Sequence, residues 1–334
     1  MPILRELRFK QPNGMVISQE VPTNINQSLM SGVKCKNYKV VPVSATKPLP
    51  ESAISTLKYR GERIGLMIPG QAILSNSQPK NNNPNFAAFS LIAACKVCSD
   101  SFRDVYDLAS VERMTTNPNS IPFLEGDAYL IISKKDLVED SQFWEKYSAS
   151  LFDNRIYAYR GSRAYCSVTD EPPPESISIR EANVVSDYAA IITRDLYPYA
   201  PEPILKFFYA YQIIEILIGV NFKDRSEEIR QKLNQAAPVS ITTMKDIVKE
   251  FQDSYKELPR IKALLTPTCG ETSLALDSFF SAIGENNPGD TFGEKVYKAR
   301  NVLFHDFSKA HNRTEQITPL SDGLMRHLVS KVFL

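Results

Sequence analysis

Glycine is scarce in this chain, 13 of 334 residues, and it never forms a Gly-x-Gly-x-x-Gly or Gly-x-x-x-x-Gly-Lys run. Those runs cradle phosphates on bare backbone, so their lack argues against a Rossmann or P-loop nucleotide domain. No Gly-x-Ser-x-Gly elbow and no His-Glu-x-x-His occurs either, which removes the commonest signatures of serine hydrolases and zinc peptidases. Net charge is nearly missing, at +1, so nothing global advertises a polyanion partner, and any nucleic-acid contact would rest on a local patch. Cysteines are few, odd in number and scattered (Cys35, Cys95, Cys98, Cys166, Cys269), the usage expected of free thiols in a reducing compartment. The stretch "MPILRELRFKQPNG" carries charges where a signal peptide needs an apolar core. The longest apolar run, "ILKFFYAYQIIEILIGV", is interrupted by Lys206, Gln212 and Glu215, so no membrane span is expected. Together these features predict a cytoplasmic protein.

What remains is an ordinary globular composition, 43% apolar and 23% charged, enough for a core without disulfides. The length suits roughly two domains. Residues 1–185 read as α+β. Runs rich in β-branched and aromatic residues at 38–45, 63–70, 128–133, 155–161 and 176–185 predict strands. Helices are expected at 85–114 and 136–152, the second with Leu137, Phe143, Trp144 and Tyr147 on one face. The segments 75–85 and "TDEPPPES" (169–176) read as breakers, since consecutive prolines suit neither helix nor central strand. Residues 186–334 read as an all-α bundle, with helices at 200–222, 225–236, 242–258, 271–286, 291–307 and 317–334. The 242–258 helix has Ile247, Val248, Phe251 and Tyr255 at helical spacing.

Few side chains carry candidate chemistry. Cys95 and Cys98 have Cys-x-x-Cys spacing, but no second ligand pair stands nearby and the motif falls mid-helix, so helical thiols are the simpler reading. His311 and His327 have no evident partner and read as exposed helix or loop residues. The stretch "YKARNVLFHDF" (297–307) differs. Asn301 and His305 are four residues apart on one helix face, and Arg300, about 100° round, can reach the same place. A permanent cation, an amide and an imidazole suit a phosphodiester. Arginine can neutralise charge on the phosphorane oxygens, and imidazole can move a proton near neutral pH. With RNA the 2′-hydroxyl is the nucleophile, so neither metal nor cofactor is called for. One histidine cannot readily serve as acid and base in one step, which favours two copies of the site in a dimer. The alternative reading is a helix end whose cations complement the helix dipole. Gln212 and Glu215 are unusually polar for their apolar helix and would find natural partners in Arg300 or His305.

"FYAYQIIEILI", followed some ninety residues later by "ARNVLFHDF", resembles the HEPN superfamily of helical domains found in prokaryotic toxin and antiphage systems and in CRISPR ribonucleases. The motif of that family, Arg, a polar residue, three variable residues and His, falls on Arg300, Asn301 and His305. The resemblance covers residues 186–334 and implies a HEPN-like bundle acting as a metal-independent endoribonuclease. It further implies RNA as partner and a composite active site in a homodimer. Arg300 would stabilise the transition state, His305 would act as acid or base, Asn301 would position, and Glu215 and Gln212 would support them. Residues 1–185 would sense a ligand or protein trigger, or select substrate. The rival expectations are a non-catalytic dimerisation or interaction module and a nucleotide-binding protein.

Overall fold

In a computed structural model, the described residues are 3–10, 16–22, 37–44, 49–50, 52–70, 72, 89, 107–116, 127–138, 141–159, 173–183, 186–235, 240–266, 270–286 and 288–333. The expected loop at 75–85, the Cys95–Cys98 motif and most of the 85–114 helix lie outside them. The chain divides into two compact units. The first comprises Met1–Glu181 with Thr193–Tyr199, and the second Ala182–Ile192 with Ala200–Leu334. An α+β half is thus followed by a mostly helical one.

Among the described residues the first unit holds nine strands: β1 (Ile3–Lys10), β2 (Val16–Pro22), β3 (Lys39–Ser44), β4 (Ser55–Tyr59), β5 (Glu62–Pro69), β6 (Asp107–Thr116), β7 (Asp127–Ile132), β8 (Tyr157–Ala158) and β9 (Ser176–Ile179). They form a three-stranded sheet, β2-β1-β6, and a six-stranded sheet, β8-β3-β7-β5-β4-β9. Among the described residues, the pairings are antiparallel except β4 with β9. The central strands β5 and β7 are buried along almost their whole described length, as continuous apolar runs require. Gly65 permits this closeness, because a Cβ there would lie 1.9 Å from the Ile131 carbonyl oxygen. The β4–β5 hairpin turns through Arg60 and Gly61, both at positive φ, the conformation a two-residue turn between twisted strands demands.

Residues 107–114, expected to be helical, instead form β6 and pair with β1 through two register shifts. Long-range pairing overrides helix propensity, which is a weak local preference. The 136–152 helix is broken into α1 (Lys135–Val138) and α2 (Phe143–Asp153). Leu137, Phe143 and Tyr147 nevertheless enter one core with Val41, Leu57 and Ile132, with Trp144 packed against it. Strands at 155–161 and 176–185 are shorter than expected, at two and four residues.

The second unit begins with α3 (Asp187–Ile191), capped by Ser186. The helices expected at 200–222 and 225–236 are one 33-residue helix, α4 (Pro203–Gln235). No proline or glycine separates them to break it. By length and composition alone α4 is long and apolar enough to cross a membrane, a test that a buried core helix also passes. Its apolar residues Phe207, Ala210, Ile213, Ile214 and Leu217 are buried within the unit. It packs on α9 (Thr314–His327), where buried Lys206 meets Asp322 at 3.4 Å and Ser321 donates to the Pro203 carbonyl.

The 242–258 helix ends early and is followed by an unforeseen one: α5 (Ile241–Tyr255) stops before α6 (Glu257–Leu264). Pro259 explains the break, since its ring would clash with the carbonyl four residues back, at Tyr255. Among the α5 side chains described, Ile247 alone is buried, and Tyr255 lies outside them. Val248 and Phe251 face solvent with Ile241 and Met244, on a stripe that borders Ile247. The remaining helices are α7 (Gly270–Ala282) and α8 (Phe292–His305). Helix α9 starts at Thr314, earlier than expected, and runs through Pro319.

Candidate functional site

Helix α8 is set in place at its start. Thr291 and Glu294 form a capping box, and Glu294 also accepts from Lys262 of α6 at 2.9 Å. The bond from the Thr291 backbone, then Lys262, then the Thr291 hydroxyl lower the Glu294 pKa to about 2. Next along the helix, Gly293 lies against α6, where a Cβ would sit 2.8 Å from the Lys262 Cα. Val296, Ala299, Val302 and Leu303 then fill the core. This facing leaves Arg300 and Asn301 half-buried and His305 exposed at the last turn.

The three side chains meet. Arg300 Nη1 donates to Asn301 Oδ1 at 3.1 Å and contacts His305 Nε2 at 2.9 Å. A guanidinium has no acceptor, so Nε2 must accept, and a neutral ring with its proton on Nδ1 satisfies this contact. The Arg300 Cζ also lies 5.6 Å from the Tyr211 ring centroid and 5.7 Å from that of Phe304, within cation–π range of both. Tyr211 is fully buried on α4 and donates to Glu257 Oε1 of α6 at 2.6 Å. Burial, and then this bond, push the Tyr211 phenol well above the ordinary tyrosine range. Phe207, Phe208 and Tyr211 surround Phe304 at centroid separations of about 6 Å. Arg300 Nε is buried with no partner, and no carboxylate pairs with Arg300 among the described residues.

Gln212 and Glu215 do not join this set. Gln212 donates to Glu215 Oε2 at 2.5 Å along their own helix, and Glu215 is exposed. A partner three residues away on the same helix satisfies both more simply than a distant one. Of the other histidines, His311 is exposed and donates from Nδ1 to the Ser308 carbonyl at 2.8 Å. His327, expected at the surface, is buried and packs edge-on against Phe292 at 5.2 Å, because its face of α9 turns into the core. Beside His305, Asp306 binds Lys309 and Ser308, and those bonds hold its carboxyl below the usual range.

Sequence reading leaves Tyr211 and Glu257 out of the site. A tyrosine inside an apolar helix needs a hydroxyl partner, which was the available signal for the first. Among the described residues, no group of three or more His, Cys, Asp or Glu side chains is arranged to hold a metal ion. No family model, curated protein or solved structure matches the chain.

Proposed function

We propose that the helical unit is a HEPN-type endoribonuclease that cuts RNA without a metal or cofactor, in the cytoplasm, in prokaryotic antiphage defence or as a toxin. The carrying observation is the contact between Arg300 and His305 at an exposed helix end, beside Asn301. In this reading His305 takes the proton of a 2′-hydroxyl, and that oxygen attacks the adjacent phosphorus. The P–O5′ bond breaks to leave a 2′,3′-cyclic phosphate, and a proton passes to the departing 5′-oxygen. Arg300 offsets the charge on the phosphorane, while Asn301 orients the guanidinium. A second copy in a homodimer supplies the acid that a single imidazole cannot provide in the same step. The unit built on residues 1–185 receives a ligand or protein trigger.

The test is cleavage of a labelled RNA pool in EDTA by wild type, Arg300→Ala and His305→Ala. Cleavage by wild type alone supports the reading. Equal cleavage by all three refutes the residue assignment.

A second reading is a non-catalytic interaction module, favoured by the exposed apolar stripe Ile241, Met244, Val248 and Phe251 on α5. Self-association or partner binding that survives loss of Arg300 and His305, without RNA cleavage, would favour it. Nucleotide binding in the Arg300 site without cleavage is the outcome that would favour a nucleotide-binding protein instead.

A further inference from the structure

Arg300 is held by aromatic faces, where an anion-binding arginine is commonly oriented by an acid. A carboxylate partner would neutralise part of the charge that a phosphorane needs. Two π faces orient the same cation and leave its formal charge unopposed. The buried, unbonded Nε shows that hydrogen bonds along the inner edge are not what fixes the plane. Orientation must come from Tyr211 and Phe304 and from the two Nη1 contacts. Phe304 travels on α8 with Arg300 itself, so it cannot set Arg300 relative to the rest of the unit. Tyr211 can, because it stands on α4 and its hydroxyl is tied to Glu257 of α6.

We propose that Tyr211, locked by Glu257, is a positioning residue that turns the Arg300 guanidinium onto His305 Nε2. It acts through Arg300 and touches no substrate. Its kinetic consequence rests on the ribonuclease reading, but its effect on His305 does not. Free neutral imidazole favours the proton on Nε2. The Arg300 contact requires the opposite tautomer, with the proton on Nδ1. The tautomer of His305 therefore reports whether Arg300 is in place.

The experiment is ¹⁵N NMR of the His305 ring in the full chain at a pH where the ring is neutral, with kcat and KM for RNA measured alongside. Tyr211→Phe keeps the π face but loses the tie. Glu257→Ala removes the acceptor, and Glu257→Gln restores one. Wild type and Glu257→Gln are expected to show the Nδ1–H form. Tyr211→Phe and Glu257→Ala are expected to shift to the Nε2–H form, with kcat falling on the order of 10²-fold and KM little changed. Retention of the Nδ1–H form in both Tyr211→Phe and Glu257→Ala overturns the proposal, whatever their activity. If wild type cuts no RNA while the tautomer shifts as described, the ribonuclease reading fails and the positioning role stands.

Discussion

Arg300 and His305, five residues apart on one helix, contact each other at 2.9 Å through Nη1 and Nε2. The nitrogen that would take a proton from a hydroxyl is thus already occupied by the cation that would steady the phosphate. Under the proposed reaction the contact would set the Nδ1–H form of the ring, and the incoming phosphodiester would then take the guanidinium over and leave Nε2 open.

Arg300→Lys tests that division of labour. An ammonium keeps the charge but lacks the planar fork that contacts Asn301 and His305 together. Cleavage in EDTA is expected to fall on the order of 10²-fold or more, as for loss of one transition-state donor. Circular dichroism should stay unchanged, since lysine is a good helix former and Arg300 is only half-buried.

Acid should loosen the start of α8 through Glu294. Its pKa is lowered from 4.5 to about 2 in the folded chain, so the unfolded chain binds the proton more readily. The stabilisation is complete above about pH 4.5 and is lost as pH falls towards about 2. Glu294→Gln retains a capping-box acceptor but not the charge. Its thermal stability should fall less steeply than that of wild type across that window.

Gly293→Ala sets two opposed effects against each other. Alanine improves helix propensity by about 1 kcal/mol. Its Cβ would meet the Lys262 Cα at 2.8 Å, and a backbone atom cannot swing aside. Steric cost should win, giving a net loss of about 1–3 kcal/mol in urea unfolding.

Lys206 and Asp322 form a buried pair at 3.4 Å. Lys206→Met removes the cation that faces this carboxylate and should cost about 3–5 kcal/mol. Adding Asp322→Leu should recover much of that loss, a coupling that a double-mutant cycle in denaturant would measure.

Legibility in the sequence followed range. Arg300, Asn301 and His305 share one and a half helical turns, so spacing alone brought them together. Tyr211 and Glu257 reach the same place from two other helices, and no local pattern encodes that approach. Glu257 also sits on a helix that was merged with its predecessor until Pro259 is given its steric meaning. In the first unit, strands bounded by glycine and proline were readable, whereas β6 depended on a partner about a hundred residues earlier and was mistaken for helix. Gln212 and Glu215 misled because polar residues in an apolar helix suggested distant partners, although each had the other.

The long helix α4 carries both Lys206 and Tyr211, one anchored on α9 and the other set against Arg300. Four residues of helix lie between these points, so their angular phase is fixed at both ends. A single inserted residue between them would rotate one by about 100° and displace it about 1.5 Å relative to the other. Apolar composition would be preserved, yet either the buried ion pair or the aromatic bracket would have to fail. An insertion beyond Tyr211 leaves that phase intact. The site is therefore tuned by residue count along one short arc of helix, and deletions there should be far less tolerated than substitutions.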